Sequence, residues 1–215
     1  MKMTFRDSQH RGFTLIELLI VIAILGTLGG IAYPTYMSIQ TNASKTAARK
    51  VCTDIVEACT RFGQDNNGSM PYDFNEAKAD NRDQIFLTTE DGKDAKLVTI
   101  LTNREEGDER INSTRSTYME SNEQDERRDG LYVESSGGVS LYDPWGRPYY
   151  VVICEEDQGC YDPFVRKKRY RGKKCLVYST GPDATGVGSG HAKGKGSLDG
   201  EEAVLDNVYS WKKEK

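Results

Sequence analysis

The sequence predicts an α+β fold, in which one long N-terminal helix packs on a small antiparallel β-sheet. An apolar run over residues 13–33 is followed by apolar residues that recur at three- and four-residue steps from Ala48 to Phe62, and together they predict one long helix over residues 14–62. Four later segments between residues 131 and 180 are rich in β-branched and aromatic residues and are separated by turn-forming residues, which is typical of strands. A helix that covers one face of such a sheet gives an α+β layer.

The first half of the helix is the apolar segment 13–34, whose one charged residue is Glu17. As a helix, residues 13–33 span about 31 Å at ~1.5 Å per residue, which matches the hydrocarbon core of a bilayer. A carboxylate at that depth costs roughly 2.5–3.5 kcal/mol on insertion scales, so Glu17 is a candidate functional residue. Gly26, Gly29, Gly30 and Pro34 are expected to interrupt the outer half of this helix.

The flank before the apolar segment carries Lys2, Arg6 and Arg11 against one acid, Asp7. The positive-inside rule therefore predicts a cytoplasmic N-terminus, with the rest of the chain across the membrane. A cleavable secretory signal fits poorly, because the apolar core runs directly into a further helical pattern. An uncleaved signal anchor that tethers a domain is an alternative.

The second half of the helix is amphipathic. One apolar stripe predicts it: Ala48, Val51, Cys52, Ile55, Val56, Cys59 and Phe62. Gly63 is a suitable C-cap, so the helix is expected to end at about residue 62.

Residues 63–130 are predicted to be a variable loop region with one short helix. Asp94 is the expected N-cap of that helix, and its apolar residues are Leu97, Val98, Ile100 and Leu101. The segment 103–130 is dense in charge and is expected to be an exposed loop with nothing to bury. An antiparallel sheet and a C-terminal loop are predicted over 131–215. The strand segments are "LYVES", "VSLYD", "PYYVVIC" and "CLVYST", with "DPWGRP" as a turn.

The five cysteines all follow the apolar segment, on the side of the membrane where disulfides persist. Their number is odd, so at least one is free or pairs between chains. Cys154 and Cys160 bracket the turn sequence "EEDQG" and are a candidate disulfide. Cys52 and Cys59 are too far apart on one helix to pair with each other, and either is a possible partner of Cys175.

Composition argues against catalysis and nucleic-acid binding. The chain has a net charge of −4 and two histidines, which leaves little material for histidine-based zinc sites or Ser-His-Asp chemistry. The run "VRKKRYRGKKC" is basic, and such runs can bind nucleic acid. In an acidic chain, a solvated hairpin or a charged patch that meets the acidic 104–129 segment of another subunit is the preferred interpretation.

The segment "RGFTLIELLIVIAIL" resembles the leader and helix of type IV prepilins. The resemblance implies a leader peptide, residues 1–12, that a prepilin peptidase removes after Gly12, followed by methylation of Phe13. It implies a pilin-like globular domain over 35–215. It also implies that Glu17 pairs with the α-amino group of a neighbouring subunit and sets the register of a filament. Such a role is physically reasonable, because a buried charge costs much less free energy when it is paired than when it is unpaired.

The segment "LYDPWGRPYYV" resembles the D-P-W-G-x-P-Y segment of the major pseudopilins of type II secretion systems. That resemblance implies a calcium site in the C-terminal loop, whose matching residues are Ser179, Asp183, Asp206 and Asn207. A Gly- and Asp-rich loop suits the oxygen ligands of Ca²⁺. Asn207 is neutral where the family has an aspartate, and the inserted segment adds cations, so weaker binding is expected. An ordinary glycine-rich loop is the alternative.

The function that follows from both resemblances is structural. The chain is expected to be a subunit of a homo-oligomeric filament in the periplasm, a type II secretion pseudopilus, anchored in the bacterial inner membrane before assembly. Expected partners are membrane lipid, prepilin peptidase, minor pseudopilins and the inner-membrane assembly platform. The alternatives are a type IV or competence pilin that binds DNA or a surface through its basic hairpin, and a membrane-tethered enzyme.

Overall fold

The computed structural model describes residues 13–72, 84–89, 96–107, 110–135, 137–154, 159–164, 168–182 and 207–210. Gly12 and the rest of the leader lie outside these ranges, as do Asp94, Asp183 and Asp206. Within them the chain forms the predicted α+β fold, a long N-terminal helix followed by small antiparallel sheets.

The long helix, α1 (Leu15–Asp65), is continuous. The predicted interruption at its outer half is wrong for this structure, since Pro34 lies inside the helix. A proline removes one helical N–H donor, which here is the usual partner of the Gly30 carbonyl. The Thr35 hydroxyl donates to the next carbonyl, that of Ile31, at 3.1 Å. The helix runs through Pro34 without a break.

The chain divides into two compact units, residues 1–43 and 44–215, and α1 contributes to both. In the first unit, the large apolar side chains between Phe13 and Ile39 are exposed. By length and composition α1 is able to cross a membrane, as predicted for residues 13–34.

In the second unit, α1 buries most of the predicted stripe. The buried residues are Ala48, Cys52, Ile55, Cys59 and Phe62, together with Ala58, whereas Val51 and Val56 are half-buried and pack against the same cluster. The short helix α2 (Lys96–Leu101) buries the four predicted residues Leu97, Val98, Ile100 and Leu101. The apolar periodicity therefore identifies the inner face of both helices.

The main sheet has four strands in the order β1-β4-β7-β8, all antiparallel. They are β1 (Gln84–Leu87), β4 (Tyr150–Ile153), β7 (Cys175–Ser179) and β8 (Val208–Tyr209). Two hairpins stand beside it: β2 (Gly130–Val133) with β3 (Val139–Tyr142), and β5 (Cys160–Tyr161) with β6 (Arg169–Tyr170). The four strand segments predicted from the sequence are β2, β3, β4 and β7, and the other four strands were not predicted.

The two faces of the main sheet support two apolar clusters, because successive strand residues point to opposite faces. Val151, Ile153, Cys175 and Val177 join the cluster that contains the buried residues of α1 and α2. Val152, Leu176 and Tyr178 join the opposite cluster, with Cys154, Cys160 and Tyr209. The helix thus covers one face, as predicted.

The expectation of an exposed loop with nothing to bury over 103–130 is wrong in its second part. Tyr118, Met119 and Asn112 are buried, and the Tyr118 ring meets the Phe62 ring of α1 edge-on, with 5.2 Å between centroids. The Glu105 carboxylate accepts the backbone N–H groups of Ile111 and Asn112 at 3.0 and 2.9 Å. Local hydrogen bonds order this segment, and they leave no trace in apolar periodicity.

Candidate functional site

The start of α1 contains the predicted processing and assembly residues that the structure describes. Phe13 is 84% exposed and lies two residues before the first residue of α1, Leu15. The Glu17 Oε2 atom accepts hydrogen bonds from the Thr14 backbone N–H and the Thr14 hydroxyl, both at 2.8 Å. The Glu17 N–H in turn donates to the Thr14 hydroxyl oxygen at 3.3 Å.

This reciprocal pair is a capping box, in which an N-cap hydroxyl residue and a glutamate three residues later satisfy each other's backbone donors. The prediction for Glu17 did not include Thr14, although "TLIE" carries the S/T-x-x-E signature of the box. In this structure the carboxylate therefore has an intrachain partner. Thr14 is the functional residue at this end that sequence reasoning missed.

The surface of α1 on both sides of Glu17 is apolar and is covered by nothing in the described part of the chain. Leu15, Leu28 and Ile31 are 82%, 60% and 73% exposed. Contiguous exposed apolar surface of this extent marks a membrane or protein contact. This surface is therefore a candidate membrane or protein contact.

A second polar site lies where β3 and β7 end. Asp143 is fully buried, and its Oδ1 atom accepts the backbone N–H groups of Trp145 and Arg147 at 2.9 and 2.8 Å. Its Oδ2 atom accepts the Ser179 hydroxyl at 2.6 Å, and the Ser179 oxygen accepts the Gly181 N–H at 3.1 Å. Burial raises the pKa of Asp143, and these hydrogen bonds oppose that shift only in part. The predicted "DPWGRP" turn is thus tied to the end of β7.

Ser179 and Asn207, two of the four predicted calcium ligands, lie at one end of the main sheet. Ser179 pairs with Val208 of β8, so Asn207 follows at the same end. The Asn207 side chain is buried, and among the described residues neither its Oδ1 nor its Nδ2 atom has a hydrogen-bond partner. Asp183 and Asp206 lie outside the described residues. A buried amide oxygen without a partner fits a cation ligand.

The predicted pair Cys154 and Cys160 forms a disulfide in the structure, with 5.3 Å between the Cα atoms. It links the end of β4 to the start of β5. The Cys154 N–H also donates to the Lys174 carbonyl at 3.0 Å, directly before β7. The bridge therefore holds the hairpin of β5 and β6 against the main sheet.

The aromatic residue of the basic run is used within the chain. The Tyr170 hydroxyl donates to Asp162 Oδ2 at 3.0 Å, and the ring packs against the cluster that contains Leu176. The Lys168 ammonium lies 5.2 Å from the centre of the same ring. A base-stacking platform needs a free aromatic face, so these contacts favour a structural hairpin over a nucleic-acid site.

Comparison with known proteins gives one family and three relatives. The model of the family described as "Prokaryotic N-terminal methylation motif" matches residues 7–33. The "Type IV major pilin protein PilA" of Myxococcus xanthus (strain DK1622) is 41% identical over 49 residues, 23% of this chain and 22% of that protein. "Fimbrial protein Q" of Moraxella bovis is 37% identical over 85 residues, 40% of this chain and 52% of its own length.

The third relative is aligned over most of both chains. The "Type II secretion system core protein G" of Aeromonas hydrophila is 30% identical over 147 residues, 67% of this chain and 73% of that protein. The chain spans about half or less of the other two relatives. No solved structure matches the chain.

Proposed function

The chain belongs to the type IV pilin and pseudopilin family, and we propose that it is a structural subunit of a type II secretion pseudopilus. The observation that carries this choice is the alignment with the type II secretion core protein G, which covers 73% of that relative and therefore extends far beyond the apolar helix. The two pilin relatives align over smaller shares of their lengths. On this proposal the chain supports protein secretion mechanically and does not catalyse a reaction.

Processing and membrane insertion come first. A prepilin peptidase cleaves after Gly12 and the new N-terminal residue, Phe13, is methylated. The helix spans the inner membrane with its N-terminus in the cytoplasm, and residues 44–215 lie in the periplasm. The exposed apolar surface of α1 supports this step, because lipid replaces the missing protein contacts.

Assembly then exchanges the partners of that surface and of Glu17. In lipid the Glu17 carboxylate is satisfied by Thr14, as in the structure. In the filament the free α-amino group of a neighbouring subunit offers a charged partner, which makes a stronger hydrogen bond than a neutral one. Only the correct axial position supplies that amine, so the pairing selects the register of the subunit.

We also propose that the C-terminal loop binds Ca²⁺. Asn207, whose amide oxygen is buried without a described partner, is the described residue that fits best, and Asp183 and Asp206 supply the carboxylates. The Ser179 hydroxyl is already shared between Asp143 and Gly181, so its contribution is weaker. Bound Ca²⁺ would supply charge neutralisation and hold both ends of the loop. Isothermal titration of the full chain with Ca²⁺ tests this, with Asn207→Ala expected to weaken binding.

The first test of the main proposal is the intact mass of the chain extracted from membranes, with N-terminal peptide mapping. A chain that begins at N-methylated Phe13 supports prepilin processing. A chain that still carries residues 1–12 would leave a plain membrane anchor and refute the filament role.

The second test separates a role in secretion from the alternative role of a type IV pilin. The alignments with the two pilin relatives are the reason to consider that alternative. Deletion of the coding sequence is expected to leave folded secretory proteins in the periplasm while surface pili remain, and the wild-type chain is expected to restore secretion. Loss of surface pili, or loss of DNA uptake, with normal secretion would instead favour the type IV pilin. If DNA uptake is lost, charge reversal of Lys173 and Lys174 is expected to reduce DNA binding in a salt-dependent way.

A further inference from the structure

Three cysteines stand apart from the Cys154–Cys160 bridge. Cys52, Cys59 and Cys175 are thiols in the structure, and all three are buried. They belong to the same apolar cluster, between α1 and the main sheet. Neither prepilin processing nor calcium binding uses any of them.

The direction of the two elements decides which thiols can meet. The Cys52 sulfur contacts the carbonyl oxygen of Val208 at 4.0 Å, and Val208 pairs with Ser179 at the end of β7. Cys59 lies seven residues further along α1, or about 10.5 Å. Cys175 lies four residues back along β7, or about 13 Å. The Cys59 and Cys175 side chains interact with each other, so helix and strand run in opposite directions from the Cys52 contact, over similar lengths.

The orientation of both side chains agrees with this placement. Cys175 alternates with Leu176 and points to the face of the sheet that α1 covers. The Cys59 side chain interacts with the Cys175 thiol, and both residues are buried in the same apolar cluster. Cys52 and Cys59, at about two helical turns, exceed the 7 Å limit between Cα atoms for a disulfide.

We propose that Cys59 and Cys175 form a second disulfide, which cross-links α1 to β7, and that Cys52 remains a thiol. The oxidant is a protein or small-molecule disulfide. As the S–S bond forms between Cys59 and Cys175, two protons and two electrons pass to that oxidant, whose own S–S bond breaks to give two thiols. The odd cysteine count is then accounted for within one chain.

The bridge forms while the chain folds. The hydrogen bond with Cys59 and the burial of both groups raise the pKa of the Cys175 thiol well above its usual value. Disulfide exchange requires a thiolate and access for the oxidant. In the folded domain the raised pKa disfavours the Cys175 thiolate, and burial keeps an oxidant away from both sulfur atoms. Once made, the bond is shielded from reductants by the same burial.

The test counts thiols in the full chain held in detergent. The protein is unfolded with reductant and refolded in a glutathione buffer that is made oxidising enough for the Cys154–Cys160 bridge to form. It is then denatured and labelled with a maleimide. The expected result is one maleimide per chain, on Cys52, and a non-reduced peptide pair that joins Cys59 to Cys175. Three maleimides, or a bridge that includes Cys52, would overturn the proposal.

Two matched variants sharpen the count. Cys52→Ser is expected to bind no maleimide, whereas Cys175→Ser is expected to bind two, on Cys52 and Cys59. Addition of the same oxidised buffer to reduced, already folded protein is expected to form the bridge at least tenfold more slowly than refolding does. The result does not depend on whether the chain serves secretion or a pilus, so it fails or succeeds separately from the proposed function.

Discussion

The buried carboxylate of Asp143 is the group whose replacement tests the described site most directly. It accepts three hydrogen bonds, from the Trp145 and Arg147 N–H groups and from the Ser179 hydroxyl. Asp143→Ala leaves all three donors without this partner. A buried donor without a partner costs about 1–3 kcal/mol, and the two N–H groups belong to half-buried residues, so the total is about 3–5 kcal/mol.

Asp143→Asn is the matched control, because it keeps the shape and the Oδ1 acceptor. Its Nδ2 group donates to the Ser179 oxygen, whose hydroxyl proton can rotate away. We therefore expect a loss below about 1 kcal/mol. The measurement is urea unfolding of the full chain in detergent at neutral pH, followed by tryptophan fluorescence, since Trp145 lies in the affected turn.

The pH dependence gives the same pair of variants a second readout. Burial raises the pKa of Asp143 above its ordinary value of 3.8. The folded state then holds this proton more tightly than the unfolded state, so the contribution to stability is present below pH 3.8 and is lost as the pH rises through the folded pKa. The side chain of the Asp143→Asn variant does not titrate. The difference in free energy of unfolding between the wild type and this variant therefore shrinks as the pH rises from about 4. Two results would refute the role given to this carboxylate. One is an equal loss of unfolding free energy in Asp143→Ala and Asp143→Asn, and the other is a difference between Asp143→Asn and the wild type that does not change with pH.

Three further outcomes are expected. Glu17→Gln is expected to insert into membranes normally and to be excluded from filaments by at least tenfold, because a neutral amide cannot form an ion pair with an ammonium group. Equal incorporation in a cross-linking assay would contradict this. Glu134→Gln is expected to lower the urea midpoint at neutral pH and to have little effect in acid. Burial opposes ionisation of Glu134, but bonds from Ser140, Arg127 and Tyr142 lower its pKa below 4.5, so its contribution exists above pH 4.5 and is lost as the pH falls through the folded pKa. Gly159→Ala is expected to prevent the hairpin of β5 and β6 from forming, since its Cβ would overlap the Tyr170 carbonyl oxygen. Gly172→Ala, at a similar positive φ but in open space, is expected to cost about 1 kcal/mol, and similar yields of Cys154–Cys160 bridge in both variants would exclude the clash.

The helices were predictable because periodicity is a local signal. Most apolar residues of the stripe from Ala48 to Phe62, and the four apolar residues between Leu97 and Leu101, are buried as their spacing indicates. The strands β2, β3, β4 and β7 follow from β-branched and aromatic runs. The short strands β5, β6 and β8 span two residues each, too few for any pattern to show, and their pairing depends on neighbours distant in sequence.

The burial of polar residues in segment 110–129 was not predictable from the sequence, for a different reason. Asn112 is fully buried and donates to the carbonyls of Ile100 and Ser116 at 3.1 and 2.8 Å. Composition alone classes such a polar segment as solvent-exposed, because it cannot tell whether a polar group is buried and satisfied. The capping box of Thr14 was readable, in contrast, since both partners lie within one turn.

The sequence by itself determined the features that depend on residues close together in the chain. These are the apolar run, the Glu17 carboxylate within it, the apolar stripe of α1 and the turns. The tertiary structure decided what meets across the chain. It joined the Asp143 turn to Ser179, placed Asn207 at the end of the same sheet and brought Cys59 and Cys175 into one buried cluster. Spacing along a helix or strand is fixed by backbone geometry, whereas contacts between elements depend on how their faces pack, which no local pattern encodes.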